Sequence, residues 1–223
     1  MIGNLEAYAK LSQRLAYDTP LRRVDAVYLH GVSDGMVASC NLFDTVYRAK
    51  QELHPKHIFA NGSDGRGMPP QDAPGKAWPG FDWYRTELPK HGVRNITPTG
   101  PGLHTRSETD ELVKLLAERN IDSVGIVTTP MHFVRSLSCL VASMDVAGYF
   151  CQAYYLRPVQ VTWDTPMLGS QGLTETTLFE ETGAEIGRIF KYWDNGRPDE
   201  AWRTGWSASP DRVIEYLEER DAV

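Results

Sequence analysis

Residues 123–144 read SVGIVTTPMHFVRSLSCLVASM, and they indicate the fold class more clearly than any other part of the sequence. Its first part, SVGIVT, is a short apolar run typical of a strand that is buried on both faces. Thr129 and Pro130 follow, and proline is favoured at the first position of a helix, so the pattern predicts a helix from there to about Met144. A buried strand that leads into a helix is the repeating unit of a parallel α/β fold.

The same alternation continues along the rest of the chain. Strands are predicted at 24–30, 57–60, 94–97 and 148–155, and helices at 4–17, 38–53, 81–91, 105–120, 174–193 and 210–220. Strands that alternate with helices favour a mostly parallel sheet, here of about five strands, with helices on both faces. Residues 61–80 and 157–173 are predicted loops, and the first is interpreted as an excursion or lid over the sheet edge.

Composition limits the class of protein. Of 223 residues, 41% are hydrophobic and 23% charged, which is ordinary for a globular protein and excludes collagen, coiled coil and disorder. We expect one domain over 1–223, with a helical extension over 174–223, because no stretch is long enough to be an interdomain linker. The net charge is −6 and no long basic run occurs, so a nucleic-acid partner is not expected.

The sequence also bears on location and on cysteine chemistry. No stretch approaches the roughly 18 apolar residues that a membrane span requires, and the N-terminal segment lacks the apolar core of a signal peptide. We therefore expect a cytoplasmic protein without membrane association. Cys40, Cys139 and Cys151 are odd in number and show no CxxC spacing, which indicates buried free thiols.

Polar and glycine-rich loops follow four of the predicted strands. Ligands bind beyond the carboxyl ends of the strands in an open parallel sheet, so these loops are expected to meet there. The candidate ligand-binding residues are Gly31, Ser33, Asp34, Gly62, Ser63, Asp64, His104, Thr105, Arg106, Thr128 and Thr129. Ordinary turn chemistry is the alternative for the two SDG segments, and neither matches GxGxxG or GxxxxGK[ST].

Glu108 has two possible roles. Thr105 and Glu108 fit a capping box, in which Thr105 caps a helix and Glu108 reaches back to the amide of Thr105. The alternative directs the Glu108 carboxylate into the crevice, where it would orient a ligand or take a proton.

His132 and Arg135 are spaced to share one helix face. Cations in the first turns of a helix oppose its dipole, so an anion is expected nearby. We interpret His132 as a catalytic acid or base, Arg135 as an anion clamp and Glu108 as an orienting group or base. The alternative is a structural pair between Arg135 and a carboxylate, with His132 packed beside it. His104 and His132 lack a metal-binding pattern such as HExxH, so no metal is predicted.

Three tryptophans near the C-terminus, Trp193, Trp202 and Trp206, have two interpretations. They could form an aromatic platform for a ligand, but such residues more often pack the last helix against the domain. Ser209 and Pro210 are expected to cap and begin that helix.

The order of these motifs resembles that of the YdcF/SanA/ElyC-like family of uncharacterised domains, and is closest to the soluble YdcF branch. The resemblance covers about residues 24–145 and is carried by VDAVYLHGVSDG (24–35), IFANGSDG (58–65), HGVRNITPTGPGLHTRSETDELVKLL (91–116) and SVGIVTTPMHFVRSLSCL (123–140). It departs from the family pattern at Thr109, where asparagine is usual, at Ser136, where alanine is usual, and after the second strand, which lacks paired glycines.

The resemblance implies a Rossmann-like three-layer sandwich and, for the YdcF branch, binding of S-adenosylmethionine. Together with the loops, it leads us to expect a small anionic or nucleoside-bearing ligand at the carboxyl edge of the sheet, with Asp34 and Asp64 holding its hydroxyl groups. We expect an enzyme of transferase or phosphoester hydrolase type. The alternative is a ligand-binding or sensor protein without catalysis.

Overall fold

Five parallel strands form the centre of the molecule. The structure is a computed structural model that describes residues 3–16, 18, 23–65, 79–168, 175–193 and 205–222. The strands lie in the order β3-β2-β1-β4-β5, with β1 at Ala26–Leu29, β2 at His57–Ala60, β3 at Ile96–Pro98, β4 at Ser123–Val127 and β5 at Gln152–Tyr155. Every pairing in this sheet is parallel, which confirms the predicted Rossmann-like α/β architecture.

Helices connect the strands and cover both faces of the sheet. Their bounds are α1 Asn4–Ala16, α2 Asp34–Ser39, α3 Leu42–Leu53, α4 Phe81–Glu87, α5 Thr105–Glu118, α6 Phe133–Ala147, α7 Leu178–Trp193 and α8 Pro210–Asp221. Short 3-10 turns at Leu88–His91 and Pro130–His132 extend α4 and precede α6. Ser209 caps α8 as predicted, since its hydroxyl accepts a hydrogen bond from the Arg212 amide at 3.3 Å.

The strands divide the interior into two apolar layers because successive side chains point to opposite faces. On β1, Tyr28 packs with α1, α5, α6 and α8, whereas Val27 and Leu29 pack with α2, α3 and α4. On β4, Ile126 and Val127 divide in the same way. Both faces are therefore buried, which explains why these strands are continuous apolar runs.

The helix predicted over 38–53 is wrong in its bounds, because the structure has two helices there. The Ser33 hydroxyl accepts a hydrogen bond from the Met36 amide at 3.3 Å and so begins α2 earlier. Asn41 then interrupts the chain with a left-handed φ of 49°, a conformation that asparagine tolerates better than most residues. The second helix, α3, begins at Leu42.

The loop predicted over 157–173 and the helix start at 174 also need correction. Strands β6 (Pro166–Leu168) and β7 (Glu175–Thr177) pair antiparallel, and α7 begins only at Leu178. The Glu180 carboxylate accepts a hydrogen bond from the Thr177 amide at 2.9 Å, so the first turn of α7 is capped from within the helix. Most of the loop interpreted as a lid, residues 66–78, lies outside the described residues.

The three cysteines are free and buried, as predicted. Burial raises the pKa of the Cys40, Cys139 and Cys151 thiols to about 12 in each case, so none carries thiolate character at neutral pH. Among the described helices, none combines the length and apolar character that crossing a bilayer requires.

Candidate functional site

The loops after β1 and β4 meet at the point where the strand order reverses direction. These two strands are neighbours in the sheet, and the chain leaves β1 towards β2 on one side and β4 towards β5 on the other. The main-chain amide of His30 donates to the Val127 carbonyl at 3.0 Å and holds the two loops side by side. Such a topological switch point is where open α/β sheets bind ligands.

A buried carboxylate lies beneath this switch point. Glu108 Oε2 accepts hydrogen bonds from the Tyr28 hydroxyl at 3.0 Å and the Gly31 amide at 3.0 Å, and it lies 2.7 Å from His30 Nδ1. Burial alone would raise the pKa of Glu108. The neighbouring His30 and the three hydrogen bonds outweigh that effect and lower the pKa below its ordinary value. Glu108 is therefore ionised at neutral pH.

The helix cap explains why Glu108 is free to enter the crevice. The cap residue of α5 is His104, not Thr105: His104 Nδ1 accepts from the Ser107 amide at 3.1 Å, and Ser107 Oγ accepts from the His104 amide at 3.2 Å. The capping box predicted for Thr105 and Glu108 is therefore wrong by one residue, because a histidine ring nitrogen replaces the expected hydroxyl. With the cap satisfied by Ser107, the next side chain is directed inward.

Two histidines continue from Glu108 towards the crevice. His30 Nε2 lies 2.9 Å from His132 Nε2, and the two rings stack with centroids 4.8 Å apart. The His30 side chain is 2% exposed and that of His132 is 12% exposed, so His132 is the more open of the pair. Thr105 Oγ1 also lies 3.4 Å from His132 Nε2.

Arg135 and Glu185 set the protonation of His132. His132 Nδ1 lies 2.7 Å from Arg135 Nη2 and 3.1 Å from Glu185 Oε1. A guanidinium can only donate, so the shorter contact makes Nδ1 the acceptor and places the ring proton on Nε2. Glu185, which projects from α7, pairs with Arg135 through Oε1 and Oε2. Burial and the Arg135 charge lower the pKa of His132 to about 3, so the ring is neutral. Although burial disfavours its charged form, Arg135 holds the pKa of Glu185 well below its usual range.

These contacts join four side chains in one direction, from Arg135 through His132 and His30 to Glu108. Each N–H points to the next acceptor: Arg135 to His132 Nδ1, His132 Nε2 to His30 Nε2, and His30 Nδ1 to Glu108. We call this series of four residues the histidine chain. At its buried end, His30 Nδ1 and Glu108 Oε2 form an imidazole–carboxylate pair 2.7 Å apart.

Several predicted site residues adjoin the histidine chain. Gly31 donates its amide to Glu108, and a side chain at this position would clash, since an added Cβ would lie 2.7 Å from Asn61 Nδ2. The Thr105 hydroxyl accepts from Arg135 Nη1 at 3.1 Å. Thr128 and Thr129 follow β4 in the same region, and their buried hydroxyls have no hydrogen-bond partner within the described residues.

Other predicted residues have contacts inside the protein instead. Ser33 caps α2, and Asp34 lines a separate cavity of about 250 Å³ beside Phe43 and Trp83. His104 caps α5 and stacks on Trp206 with ring centroids 4.4 Å apart. Asp34 Oδ1 accepts a hydrogen bond from the Gly35 amide at 2.8 Å.

The loop after β2 joins the site through Asn61 rather than through Gly62, Ser63 and Asp64. Asn61 Nδ2 donates to the Gly102 carbonyl at 2.9 Å, and Asn61 Oδ1 accepts from the Ser63 amide at 2.9 Å. Gly62 packs directly against a neighbouring main chain, since an added Cβ would lie 1.8 Å from the Thr99 carbonyl oxygen. Asp64 is exposed and lies against Gly80.

Arg106 holds the C-terminal segment, and one of the tryptophans packs in the interior. Arg106 pairs with Asp110 at 2.8 Å and donates to the Gly205 carbonyl at 2.9 Å. Trp193 is buried and its indole N–H donates to Ser138 at 3.4 Å, in keeping with a packing role. Trp202 lies outside the described residues.

The sequence interpretation did not select Tyr28, His30 or Glu185 as site residues. His30 could have been found, because it is the first polar residue after a buried apolar strand. Glu185 carried a weaker signal: it lies on the buried side of an amphipathic helix far along the chain, where a carboxylate needs a partner. Within the described residues, no group of three or more histidine, cysteine or acidic side chains is placed to hold a metal ion.

Comparison with known proteins adds no relative to this picture. No protein-family model, no curated protein and no solved structure matches the chain.

Proposed function

We propose that this protein binds a small anionic or nucleoside-bearing ligand at the carboxyl edge of its sheet and acts on it by proton transfer, as an enzyme of transferase or hydrolase type. The observation that carries the proposal is the histidine chain at the switch point, with its ionised carboxylate, two imidazoles and one guanidinium aligned in one direction. An ionised carboxylate on a histidine is a common arrangement for a general base.

The contacts suggest how the chain would work. A ligand oxygen or nitrogen that accepts the hydrogen bond from His132 Nε2 would replace His30 as the acceptor. His30 Nε2 would then present a lone pair beside the ligand, and Glu108 would stabilise the imidazolium formed when His30 takes a proton. Arg135 keeps His132 in the donating tautomer throughout.

The charge beside His132 bears on the anionic ligand. Glu185 already pairs with Arg135, so a ligand carboxylate or phosphate would have to share the guanidinium or displace Glu185. We therefore assign Arg135 the positioning of His132, with anion binding as a second role in which the ligand shares the guanidinium with Glu185 or displaces it.

S-adenosylmethionine, which the family resemblance implies, is one ligand to test. Asp34 lines a different cavity, and the glycine contacts expected for a ligand are taken by Glu108 at Gly31 and by the Thr99 carbonyl at Gly62. No step of the proposed chemistry involves this cofactor.

The test combines calorimetry with a product screen. The full chain is titrated with S-adenosylmethionine, nucleotides and sugar phosphates, and is incubated with phosphate esters and with methyl acceptors. We expect at least one ligand to bind and to give product. His30→Asn should lower turnover roughly a hundredfold or more, the usual range for a general acid or base, whereas His54→Asn, at an exposed site on another helix, should not.

A non-catalytic binder is the second candidate, and one observation favours it. His30 and Glu108 are each 2% exposed and have their polar contacts within the protein, so the chain could serve only to fix the crevice. In that case a ligand binds, no product forms, and mass spectrometry recovers the ligand intact. Absence of both binding and product across the panel would contradict both candidates.

A further inference from the structure

A second cavity opens on the other side of the loop that carries His132. It has a volume of about 460 Å³, within the range of small-molecule sites, and lies at the carboxyl ends of β4 and β5. Its wall is formed by α1, the turn before α6, the segment after β5 and the start of α7, and includes Pro130, Met131, Tyr155, Trp163 and Leu178. His30, Glu108 and His132 are not among its lining residues.

The wall is apolar and aromatic, with a single charge. Phe133 and Tyr155 stack with ring centroids 4.1 Å apart and form one side. Trp163 lines the cavity with 63% of its surface exposed, and its ring meets Phe179 edge-on with centroids 6.4 Å apart. Arg157 is the one charged lining residue, and its guanidinium forms no ion pair with any described residue.

One buried polar group in this wall also lacks a partner. The Tyr155 hydroxyl is shielded from solvent and makes no hydrogen bond within the part of the chain that the structure describes. Because solvent does not reach this hydroxyl, the cavity is lined by the Tyr155 ring, which offers a ligand an apolar surface.

We propose that this cavity binds a small apolar carboxylate, with the hydrocarbon or aromatic body against Phe133 and Tyr155 and the carboxylate at Arg157. The volume, the aromatic wall and Arg157, unpaired among the described residues, all match a ligand with one apolar body and one negative group. This site goes beyond the proposed function, because it uses none of the histidine chain.

The proposal is tested with 4-phenylbutyrate and octanoate, each paired with its neutral amide. Binding to the full chain is followed by calorimetry and by Trp163 fluorescence, with Trp163→Phe identifying the signal. We expect the carboxylates to bind at least tenfold more tightly than the amides. Arg157→Gln should remove that preference, and Arg85→Gln, which removes an exposed arginine elsewhere, should retain it.

Two further variants locate the site. Thr182→Phe places a larger side chain in the cavity wall and should weaken the carboxylate and the amide alike. His132→Asn should leave the affinity within twofold, which separates this site from the proposed catalytic one. Equal binding of carboxylate and amide, an unchanged preference in Arg157→Gln, or no binding at millimolar concentration would overturn the proposal. Because Arg157 is exposed, folding of Arg157→Gln is expected, and circular dichroism checks it.

Discussion

His30 Nε2 lies 2.9 Å from His132 Nε2, although 102 positions separate the two residues in the chain. The contact exists because β1 and β4 are neighbours and each ends just before its histidine or its histidine-bearing turn. Two imidazole nitrogens at this distance share one proton, and the partner on the far side of each ring decides which holds it. Glu108 accepts a hydrogen bond from His30 Nδ1, and Arg135 donates to His132 Nδ1, so the shared proton belongs to His132.

The depressed pKa of His132 makes the stability of the fold depend on pH. In the folded protein this pKa is about 3, while an unfolded histidine titrates near 6.5. Between these values only the unfolded state takes up the proton, so the free energy of unfolding falls as the pH drops below about 6.5, by at most ~1.4 kcal/mol per pH unit. Urea unfolding at pH 7, 6 and 5 measures this slope.

The matched comparison is His132→Asn against His54→Asn. In His132→Asn, the free energy of unfolding should no longer fall between pH 6.5 and pH 5. His54→Asn should keep this pH dependence, because His54 is exposed at the end of α3, in a left-handed conformation that asparagine accepts. Carboxylates with lowered pKa values, including Glu108, lose their contribution to the free energy of unfolding only below about pH 4.3, outside the range of pH 5 to 6.5. Identical slopes in all three proteins would show that His132 is not buried as a neutral ring.

Glu108→Gln removes a charge that three donors share. The Tyr28 hydroxyl, the Gly31 amide and His30 Nδ1 all approach Glu108 Oε2. Replacing this carboxylate by the glutamine side chain should therefore lower the free energy of unfolding by about 2–3 kcal/mol at pH 7. Because the folded pKa of Glu108 is lowered, its contribution is complete above about pH 4.3 and is lost as the pH falls through the folded value. The difference between parent and variant should therefore narrow in acid.

Glu118→Gln is the control for that experiment, since Glu118 is exposed at the last residue of the same helix. It should change the free energy of unfolding by less than about 0.5 kcal/mol. Thermal unfolding at pH 7 and pH 4 measures both variants. Equal effects of the two substitutions at pH 7 would mean that the Glu108 carboxylate is not held as the structure has it.

The strand pattern and the carboxyl-edge rule predict much of the fold and the neighbourhood of the site. Buried apolar runs have few alternatives to parallel strands, so β1, β2 and β4 could be located, and with them the region of Glu108 and His132. The division of 38–53 into two helices could not be predicted, because it depends on the left-handed Asn41. The role of Glu185 could not be predicted for another reason: its partner Arg135 lies 50 positions away in the chain, and only tertiary packing brings α7 next to Arg135.

The cap of α5 is a local feature that can be tested separately from the site. Ser107 donates its amide to His104 Nδ1, and its hydroxyl accepts the His104 amide at 3.2 Å. Ser107→Ala should remove the second bond and lower the free energy of unfolding by about 1 kcal/mol. Thr105→Ser, which keeps the hydroxyl that Arg135 contacts, should lower the free energy of unfolding by less than Ser107→Ala does. If Thr105 were the cap, Ser107→Ala would have almost no effect in chemical denaturation.

Gly62 should tolerate no side chain. A Cβ at this position would lie 1.8 Å from the Thr99 carbonyl oxygen, a main-chain atom that cannot move without disturbing the end of β3. We expect Gly62→Ala to destabilise by about 4 kcal/mol or more. Gly183→Ala, at an exposed position of α7 with no atom within 4 Å of the added Cβ, should instead stabilise by up to about 1 kcal/mol. Denaturant midpoints of the two variants should therefore move in opposite directions, and a shared direction would contradict the close packing at Gly62.

The Tyr216 hydroxyl satisfies two main-chain groups at the β5 edge of the sheet. It accepts from the Ala153 amide at 2.7 Å and donates to the Cys151 carbonyl at 2.9 Å, while Asp18 and Arg220 bond other main-chain groups of β5. Tyr216→Phe leaves both main-chain groups buried without that partner, so it should lower the free energy of unfolding by about 1–3 kcal/mol. Hydrogen exchange at the Ala153 amide should accelerate accordingly, since its protection depends on this bond. Tyr47→Phe is the control, because Tyr47 is 42% exposed and loss of its hydroxyl should leave the free energy of unfolding almost unchanged. If the two variants unfolded at the same denaturant concentration, water rather than Tyr216 would be hydrogen-bonded to the edge of β5.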